Sequence, residues 1–372
     1  MFEIREIKHK AEYNPLLVSK QASFTQAWFY GEWQEMMSRK VRRFEVKKDS
    51  EIIGFFQIIK YPLPFKQNLL YIPHALVLRS LGEGGAIDIF LKEFRDKLLE
   101  IGKEENAIFA RFDFFLPGPN PPAGGEDGLT LNKYFKRVPN YAYNSVYFQP
   151  KYEWVLNIDK PESELLGNMH PKNRYSIRLA ENKGVIIEII ENDFEKYFED
   201  FYGLMERTAK RNNFKLHPEV YYKNIFENCE KNKNAFLVLA KYGNPSDKVG
   251  ASKILATNLI LLFGEIACFV FGGSSDEYKN LMAPHLSHWQ GIIEAKNRGY
   301  KFYNLGAVSS GSSYKEFEGI SIFKKRFGGQ LLEYSDSYDL ILKPFWYRLY
   351  NLRKWVLNLL LRGISLGLKI KN

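Results

Sequence analysis

The sequence predicts an α/β protein built from two successive domains, each with a mixed β-sheet covered by helices. Its 372 residues are enough for two domains that each bury a core of their own. Hydrophobic residues make up 45% and charged residues 26%, which is typical of a globular protein rather than a disordered one. The same order of predicted elements also occurs twice: a strand, a turn, a long strand, a further strand, a helix and a final strand.

The two copies of this order occupy separate parts of the chain. The first copy consists of the strands Arg43–Lys47, Ile52–Tyr61 and Tyr71–Leu78, the helix Gly85–Gly102 and the strand Ala107–Phe114. The second consists of the strands Ala235–Tyr242 and Val249–Thr257, a strand pair within Ile260–Gly273, the helix Ala283–Arg298 and the strand Phe302–Val308. Such an order fits a mixed sheet with helices on both faces. It is the central layout of the GNAT acyltransferase fold, here twice in tandem.

A domain boundary is expected near residue 150, where Phe148-Gln-Pro-Lys151 precedes the predicted strand Trp154–Ile158. The predicted division is a first domain over 1–150, a second over 151–330, a strand over 331–343 that returns to the first domain, and a C-terminal helix over 344–372. A fold alone does not identify a reaction, so candidate sites need arguments of their own.

Charge and cysteine content narrow the function classes. The net charge of +10 permits contact with polyanions such as RNA or anionic lipid, although many basic proteins bind neither. The two cysteines, Cys229 and Cys268, lack the spacing of a zinc site or a disulfide framework, and no cofactor is expected. The first residues lack a signal-peptide core, and no uncharged apolar run approaches the roughly 18 residues that span a bilayer. We therefore expect a cytoplasmic protein.

A basic helix is predicted between Met169 and Gly184. It places Lys172, Arg174 and Arg178 on a shared side, while Gly184 is suited to the position after the helix end. Such a cationic edge suits phosphate binding. The periodicity alone equally describes a solvated helix face, which is the commoner case.

A second basic stretch, Phe323-Lys-Lys-Arg-Phe-Gly-Gly329, brackets three cations with two aromatic residues. In a site that excludes water, a lysine placed there could stabilise a developing oxyanion. The same letters also describe an ordinary basic helix end. Further basic clusters, at 39–48 and 207–215, could follow RNA phosphates or be scattered surface charges.

Through these basic stretches and several other segments, the chain resembles the FemABX family of peptidoglycan bridge-forming aminoacyltransferases, whose members contain two GNAT-like domains. The resemblance runs through nearly the whole chain. It rests on the order and spacing of Phe24–Trp33, Lys60–Pro64, Tyr71–Pro73, Arg111–Asp113, Gln149–Lys151, Lys172–Gly184, Met282–Pro284, Tyr303–Gly306 and Phe323–Gly329. It implies an enzyme that moves an aminoacyl group from tRNA, as co-substrate, to an amine on the stem peptide of a peptidoglycan precursor.

The resemblance also assigns site residues. Lys324, in the pair with Phe323, matches the family lysine thought to assist at the reacting ester. Tyr221 matches a tyrosine that contacts the substrate. His217 stands where relatives carry an arginine that holds the precursor phosphate, and Phe271 stands where a tyrosine occurs. These two departures leave open whether the precursor is linked to lipid or to a nucleotide.

An aminoacyl ester is already activated, so the enzyme needs to align an amine with the ester carbonyl and stabilise the oxyanion. Lys324 is the candidate for the second task. Asp113 and His217 are candidates for removing the proton, and the substrate or water could serve equally. Some family members carry a coiled-coil arm in the second domain. No sustained heptad run appears between residues 190 and 250, so none is expected here.

The C-terminal segment 344–372 contains six basic residues and no acidic one. Polar residues recur every three or four positions and leave an apolar side, which predicts a basic amphipathic helix. The expected apolar side contains Trp346, Leu349, Leu352, Trp355, Leu359 and Leu360. The helix could lie on an anionic membrane surface or pack on the protein, and the pattern favours neither. Arg362 interrupts the apolar run, so a membrane span is not expected.

Two other functions remain open. Arg79-Ser-Leu-Gly-Glu-Gly84 lies between a predicted strand and helix, as does the pyrophosphate loop of acetyl-CoA-dependent GNAT enzymes. The corresponding place in the second copy, Gly272–Asp276, lacks that pattern. The other possibility is a non-catalytic module that binds membrane or RNA through its basic surface.

Overall fold

A computed structural model describes residues 2–75, 77–78, 85–114, 131–138, 149–243, 252–309, 318–353 and 356. The chain forms two compact units. The first unit comprises Met1–Ser19, Ser38–Lys151 and Glu333–Asn372, and the second comprises Lys20–Met37 and Tyr152–Leu332. Within the described ranges, every helix is too short or too polar to cross a membrane.

The elements follow one another along the chain in both units. The strands are β1 (Phe2–Ile7), β2 (Val41–Lys48), β3 (Glu51–Leu63), β4 (Gln67–Ala75), β5 (Val77–Leu78), β6 (Ala107–Phe114), β7 (Lys136–Val138), β8 (Tyr152–Asn157), β9 (Ile186–Ile190), β10 (Ala235–Tyr242), β11 (Lys253–Phe263), β12 (Ile266–Ser274), β13 (Phe302–Ala307), β14 (Gln330–Glu333) and β15 (Ser337–Ile341). The helices are α1 (Trp28–Met36), α2 (Ala86–Glu104), α3 (Glu162–Asn168), α4 (Pro171–Asn182), α5 (Phe198–Asn212), α6 (Glu219–Asn232), α7 (Ala283–Asn297), α8 (Glu318–Lys325) and α9 (344–353). Short 3-10 helices form at Lys10–Glu12, Pro15–Leu17, Phe24–Gln26, Phe194–Tyr197 and Lys279–Leu281.

The sheet of the first unit has the strand order β1-β2-β3-β4-β6-β15-β7, with β5 beside β3. All neighbours are antiparallel except β4 and β6. Helix α2 buries Phe90, Phe94 and Leu98, which recur at four-residue spacing and so share one side of the helix. The Phe94 ring contacts the rings of Phe56 and Phe112 on the sheet, and this apolar layer forms the core of the unit.

The sheet of the second unit has the order β14-β8-β13-β12-β11-β10-β9, in which β12 and β13 are parallel. Helix α7 packs on β10 and β11 and also contacts α4. Helix α5 packs on β12. The core between the sheet and α7 includes Trp289, Ile292 and Tyr303. Between residues 190 and 243 the α-helices are α5 and α6, of 15 and 14 residues.

The segment after β10 differs from the sequence prediction. A break was expected near residue 258, between two strands, but β11 continues through it as far as Phe263. Asn258 is buried, and its side-chain amide donates to the Ser287 hydroxyl at 2.8 Å, so a polar residue is satisfied inside the sheet. The turn comes instead at Gly264, whose φ of 60° favours glycine.

The division of the chain also differs from the predicted one at the N-terminal side. Residues 20–37 were assigned to the first domain, and the structure places them in the second unit. Helix α1 is the reason, because its aromatic residues are buried there. The Trp33 indole donates to the backbone oxygen of Tyr221 at 3.4 Å, and the Phe29 ring contacts the ring of Phe263.

Strand β15 lies between β6 and β7 of the first unit, although 198 or more residues separate it from them in the chain. A buried ion pair joins it to β6. Arg111 Nε and Nη2 each donate to one carboxylate oxygen of Asp339 at 2.7 Å, and both side chains are at most 1% exposed. The Tyr347 hydroxyl donates to the same carboxylate at 2.8 Å. The pair therefore fixes the returning segment in the first unit.

Replacement of Asp339 by Asn should lower the free energy of unfolding of the first unit by about 3–5 kcal/mol, because it leaves the Arg111 guanidinium buried without a counter-charge. Native-state hydrogen exchange of peptides from β6 and β15 measures this loss. The matched control is Asp96→Asn, which removes the exposed Arg95–Asp96 pair and should cost less than about 1 kcal/mol. If the β6 and β15 amides exchange equally slowly in wild type and in Asp339→Asn, the ion pair does not stabilise the first unit as stated.

Candidate active site of the second unit

The parallel ladder between β12 and β13 is short. It joins Ile266 to Phe302, Ala267 to Tyr303 and Cys268 to Asn304, and it stops there although β12 continues to Ser274. In the first unit, the equivalent ladder between β4 and β6 runs from Asn68–Ala107 to Ala75–Phe114. That ladder shifts register between Ile72 and Ala75 and then resumes, whereas the parallel ladder of the second unit is interrupted after Cys268 and Asn304 and does not resume within β13.

A β-bulge beside this interruption changes which way β12 side chains point. Leu259 pairs with Phe271 and Ile260 with Phe269, so Val270 is an extra residue. The bulge reverses the alternation of side chains. The Phe269 ring contacts His288 of α7, with ring centroids 4.7 Å apart, whereas the Phe271 ring contacts Tyr222 of α6 at 5.1 Å. The two phenylalanines thus mark opposite faces of the sheet.

Lys324, near the end of α8, lies at the interruption. It is only 6% exposed, and its Nζ donates to the backbone oxygen of Ala307, at the end of β13, at 2.8 Å. The Nζ also lies 5.9 Å from the ring centroid of Phe269. Burial lowers the pKa of Lys324 to about 8, against the opposing effect of the Glu153 charge. The side chain is therefore a cation at neutral pH, held where water has little access.

Three further residues shape the surroundings of this lysine. The Asn304 amide donates to a carboxylate oxygen of Glu153 at 2.6 Å, and the Asn304 side-chain oxygen accepts from the Gly306 backbone N–H at 2.7 Å. Gly306 has a φ of 76°, and a Cβ there would lie 3.4 Å from the Phe269 backbone oxygen. Asn304 thus fixes the glycine turn that brings the end of β13 to Lys324.

An aromatic wall covers the same place. The Phe323 ring contacts His285 and His288, with ring centroids 5.0 and 5.3 Å away. Burial lowers the pKa of His288 to about 3, and the Lys324 charge acts in the same direction. Burial likewise lowers the pKa of His285 to about 4. Both imidazoles are therefore neutral between pH 6 and 8, and the positive charge of this cluster is that of Lys324.

The glycine pair after α8 has a structural role that its sequence pattern left open. Gly328 and Gly329 have φ values of 83° and 95°, and a Cβ on Gly329 would lie 2.5 Å from the Val155 backbone oxygen. The Trp154 indole donates to the Gly328 backbone oxygen at 2.5 Å. These contacts fix the end of α8 against β8 and so hold Lys324 in place.

Three predicted substrate residues, His217, Tyr221 and Phe271, come together on the face of the sheet opposite to that of Phe269. The His217 and Tyr221 rings stack at 4.1 Å, and the Tyr221 ring lies 6.1 Å from that of Phe271. The Trp33 ring contacts Tyr221 at 4.7 Å. Because His217 is exposed, the group presents an aromatic surface at which a ligand could bind.

The residues of the predicted cationic edge of α4 differ in their surroundings: two are exposed, and one binds backbone oxygens of the preceding helix. Lys172 and Arg178 are exposed. Arg174 instead donates through Nη1 to the backbone oxygens of Leu166, at 3.4 Å, of Gly167, at 3.3 Å, and of Met169. Its charge satisfies the carbonyls at the end of α3, which sequence periodicity could not indicate.

Asp113, the predicted candidate base, belongs to the first unit. Its two carboxylate oxygens accept hydrogen bonds from the Tyr71 and Ser337 hydroxyls. Burial raises its pKa, although these two bonds act in the opposite direction. This geometry fits a residue that joins β4, β6 and β15 better than one that accepts a proton from a substrate.

Glu153, Asn304 and His288 did not emerge as candidates from the sequence. Asn304 lies in the quoted stretch Tyr303–Gly306, but a single acidic residue in β8 and a single histidine in α7 carry no local pattern. Across the ranges that the structure describes, no three His, Cys, Asp or Glu side chains are grouped so that they could hold a metal ion. Cys229 and Cys268 are both buried thiols.

The sequence matches the model of the FemAB family over residues 140–244 and 241–354, more than half of the chain. The chain belongs to the FemAB family. Among similar proteins, the lipid II:glycine glycyltransferase of Staphylococcus aureus is 23% identical over 390 residues, covering 86% of this chain and 88% of that protein. The protein of the same name from Staphylococcus saprophyticus subsp. saprophyticus is 22% identical and covers 83% of this chain and 85% of that protein.

Solved structures confirm the predicted fold of two tandem GNAT-like domains. The crystal structure of FemX superposes with a TM-score of 0.79 at 22% identity, covering 93% of this chain and 99% of that chain. A tandem GNAT protein from the clavulanic acid biosynthesis pathway has a TM-score of 0.52 at 9% identity, covering 92% and 99%. The FemAB family match likewise confirms the family predicted from the sequence.

The depressed pKa of Lys324 predicts how pH changes the stability of the second unit. Between pH 8 and the ordinary lysine value of 10.5, the unfolded chain binds more protons than the folded one, so stability rises with pH. From about pH 7.5 to about pH 10, wild type should gain roughly 2–3 kcal/mol relative to Lys324→Met. Urea titration followed by tryptophan fluorescence measures both proteins, and other titrating groups cancel in the difference. If the difference in unfolding free energy between wild type and Lys324→Met is the same at both pH values, the pKa of Lys324 is not lowered in the folded protein.

Proposed function

We propose that this chain transfers an amino acid from aminoacyl-tRNA to an amine of the stem peptide of a peptidoglycan precursor, and so builds the bridge between stem peptides. Membership of the FemAB family, with glycyltransferases among its relatives, makes the chain an aminoacyltransferase. The observation that carries the reaction is the buried Lys324 cation beside the interrupted β12–β13 ladder.

The acceptor is taken to be the lipid-linked precursor. The relatives from the two Staphylococcus species are named for lipid II and glycine, which favours lipid II as the acceptor and glycine as the first amino acid to test. The aromatic surface at His217 and Tyr221 is the place where the precursor would bind, in accord with the roles that the family resemblance implies. Because tRNA is a cytoplasmic donor, the reaction is placed on the cytoplasmic side of the membrane.

The chemistry needs no covalent enzyme intermediate. The acceptor amine attacks the ester carbonyl, a C–N bond forms, and the negative charge that develops on the carbonyl oxygen faces the Lys324 ammonium. The C–O bond to the ribose then breaks. Overall, one proton passes from the amine to the released ribose hydroxyl. Phe323, His285 and His288 keep the site apolar, which strengthens the interaction of the cation with the oxyanion.

Cations near α8 support RNA as the donor. The His170 backbone N–H at the start of α4 donates to the Arg326 backbone oxygen at 2.9 Å, so the start of α4 adjoins the end of α8. Lys172 and Lys325 are exposed on these two helices. With a net charge of +10, the chain has the charge balance needed to bind an RNA backbone close to Lys324.

Replacement of Lys324 by Met should slow transfer of labelled glycine from glycyl-tRNA to lipid II by roughly 100- to 1,000-fold, because one cation facing the oxyanion is lost. The matched control is Lys233→Met, an exposed lysine after α6 of the same unit that has no proposed role, which should keep the rate within about threefold. Single-turnover assays with purified protein measure both, and ribonuclease treatment of the donor should abolish transfer.

A Lys324→Met variant with the wild-type rate would contradict the proposed role. Parallel reactions with nucleotide-linked precursor and with alanyl- and seryl-tRNA identify the acceptor and the amino acid. A further reaction contains labelled acetyl-CoA. Transfer from that donor alone would overturn the proposal in favour of the loop Arg79–Gly84, which lies outside the described residues.

A further inference from the structure

Helix α9 of the first unit has two apolar faces. One packs on the protein: Tyr347 is buried, and its ring and that of Tyr350 lie 5.2 and 5.1 Å from the ring of Phe109. Leu69 and Ile108 complete this contact. The sequence left open whether the C-terminal helix packs on the protein or binds a membrane, and this face shows that its first turns pack.

The other apolar face is exposed. It consists of Phe345, Leu349 and Leu352 of α9, which are 71%, 41% and 55% exposed, and of Val356 beyond its described end, which is 41% exposed. Their spacing of four, three and four residues places them in one row along a helix. This row lies away from Tyr347 and Tyr350. A helix that only packs on its own protein needs one apolar face, so the second face requires another explanation.

The turn between β3 and β4 extends the exposed row. Phe65, at the tip of this turn, is 75% exposed and has a φ of 60°, which is uncommon for an aromatic residue. Its ring lies 5.6 Å from that of Trp346, which in turn lies 5.9 Å from that of Phe345. We call Phe65, Phe345, Leu349, Leu352 and Val356 the apolar row.

Cations border the apolar row. At 3.6 residues per turn, Arg348 and Arg353 fall on opposite sides of the row, and both are exposed. Lys66 is exposed beside Phe65. The sequence contains no acidic residue between 60 and 67 or between 344 and 372. Aromatic and aliphatic side chains in a row with cations on both sides match the boundary between lipid headgroups and acyl chains.

We propose that the apolar row docks on the surface of an anionic lipid bilayer, with Lys66, Arg348 and Arg353 at the level of the lipid phosphates. Helix α9 then lies in the plane of the membrane, held from the other side by Tyr347 and Tyr350. A bilayer is favoured over a protein partner because the segments that carry the row, 60–67 and 344–372, contain cations and no acidic residue, a charge balance that suits anionic headgroups. The physiological benefit rests on the proposed function, since it brings the enzyme to a lipid-linked acceptor.

The test is the binding of the full chain to lipid vesicles by co-sedimentation, without tRNA or precursor. Wild type should bind vesicles of phosphatidylcholine with about 30% phosphatidylglycerol at least tenfold more tightly than vesicles of phosphatidylcholine alone, and about 0.5 M salt should weaken this binding. The double variant Leu349→Gln, Leu352→Gln should lose at least about tenfold in binding. Both positions are exposed, so circular dichroism should show an unchanged fold.

Two sets of substitutions test whether vesicle binding depends on the apolar row itself and on the cations beside it, rather than on any exposed apolar residue. Ile89→Gln changes a residue of α2 that is 56% exposed in the same unit, and it should bind vesicles as wild type does. Arg348→Gln with Arg353→Gln should remove the preference for anionic vesicles. No binding of wild type, or equal binding of wild type and the leucine double variant, would overturn the proposal. A different result would also overturn it: light scattering shows that wild type is a dimer, the leucine double variant is a monomer, and neither protein binds vesicles.

The outcome is independent of the proposed reaction. The leucine double variant should transfer glycine to a soluble stem-peptide acceptor at the wild-type rate, because it changes none of the residues around Lys324. The protein could bind vesicles, respond to these substitutions and yet show no transferase activity. That result would support the docking surface and contradict the proposed function.

Discussion

The burial of the Lys324 ammonium is the constraint on which the candidate site depends. A buried lysine charge requires partners, and this one has the Ala307 backbone oxygen at 2.8 Å, the Phe269 ring and the nearby Glu153 carboxylate. The Ala307 oxygen lies beyond the last pair of the β12–β13 ladder, Cys268 and Asn304. A continued ladder would pair the end of β13 with β12, so the interruption leaves the Ala307 oxygen for the Lys324 ammonium.

The two units use one layout for different purposes. In the first, the parallel strands β4 and β6 pair again after a register shift between Ile72 and Ala75, and buried polar residues beside them, Arg111, Asp113 and Asp339, are satisfied by one another or by neighbouring hydroxyls. In the second, the parallel strands part, and a bulge at Val270 turns Phe269 and Phe271 to opposite faces. A polar cluster whose groups are all satisfied stabilises a fold. A cation at an interrupted ladder can still take a further partner, as an oxyanion site requires.

The sequence predicted what local patterns encode. The repeated order of strands and helices indicated the fold, and the stretch Phe323–Gly329 indicated the lysine. It could not predict contacts between residues far apart in the chain. The placement of residues 20–37 depends on the burial of Trp33 by α6, the continuity of β11 depends on the bond from Asn258 to Ser287, and Arg174 is engaged by carbonyls of the preceding helix. Glu153 is 171 positions from Lys324, and no spacing rule joins them. The roles of Lys324, Tyr221 and His217 remain predictions from the family resemblance.

The most direct measurement compares two stable ligands of wild type and of Lys324→Met. One is an analogue of the donor–acceptor adduct in which tetrahedral phosphorus carries the negative charge of the oxyanion, and the other is the matched planar amide. If Lys324 stabilises the oxyanion, the variant should bind the phosphorus analogue roughly 100-fold or more weakly and the amide within about threefold of wild type. Equal losses for both ligands would show that Lys324 only supports the fold or general binding. Unchanged affinity for the charged analogue would contradict the account.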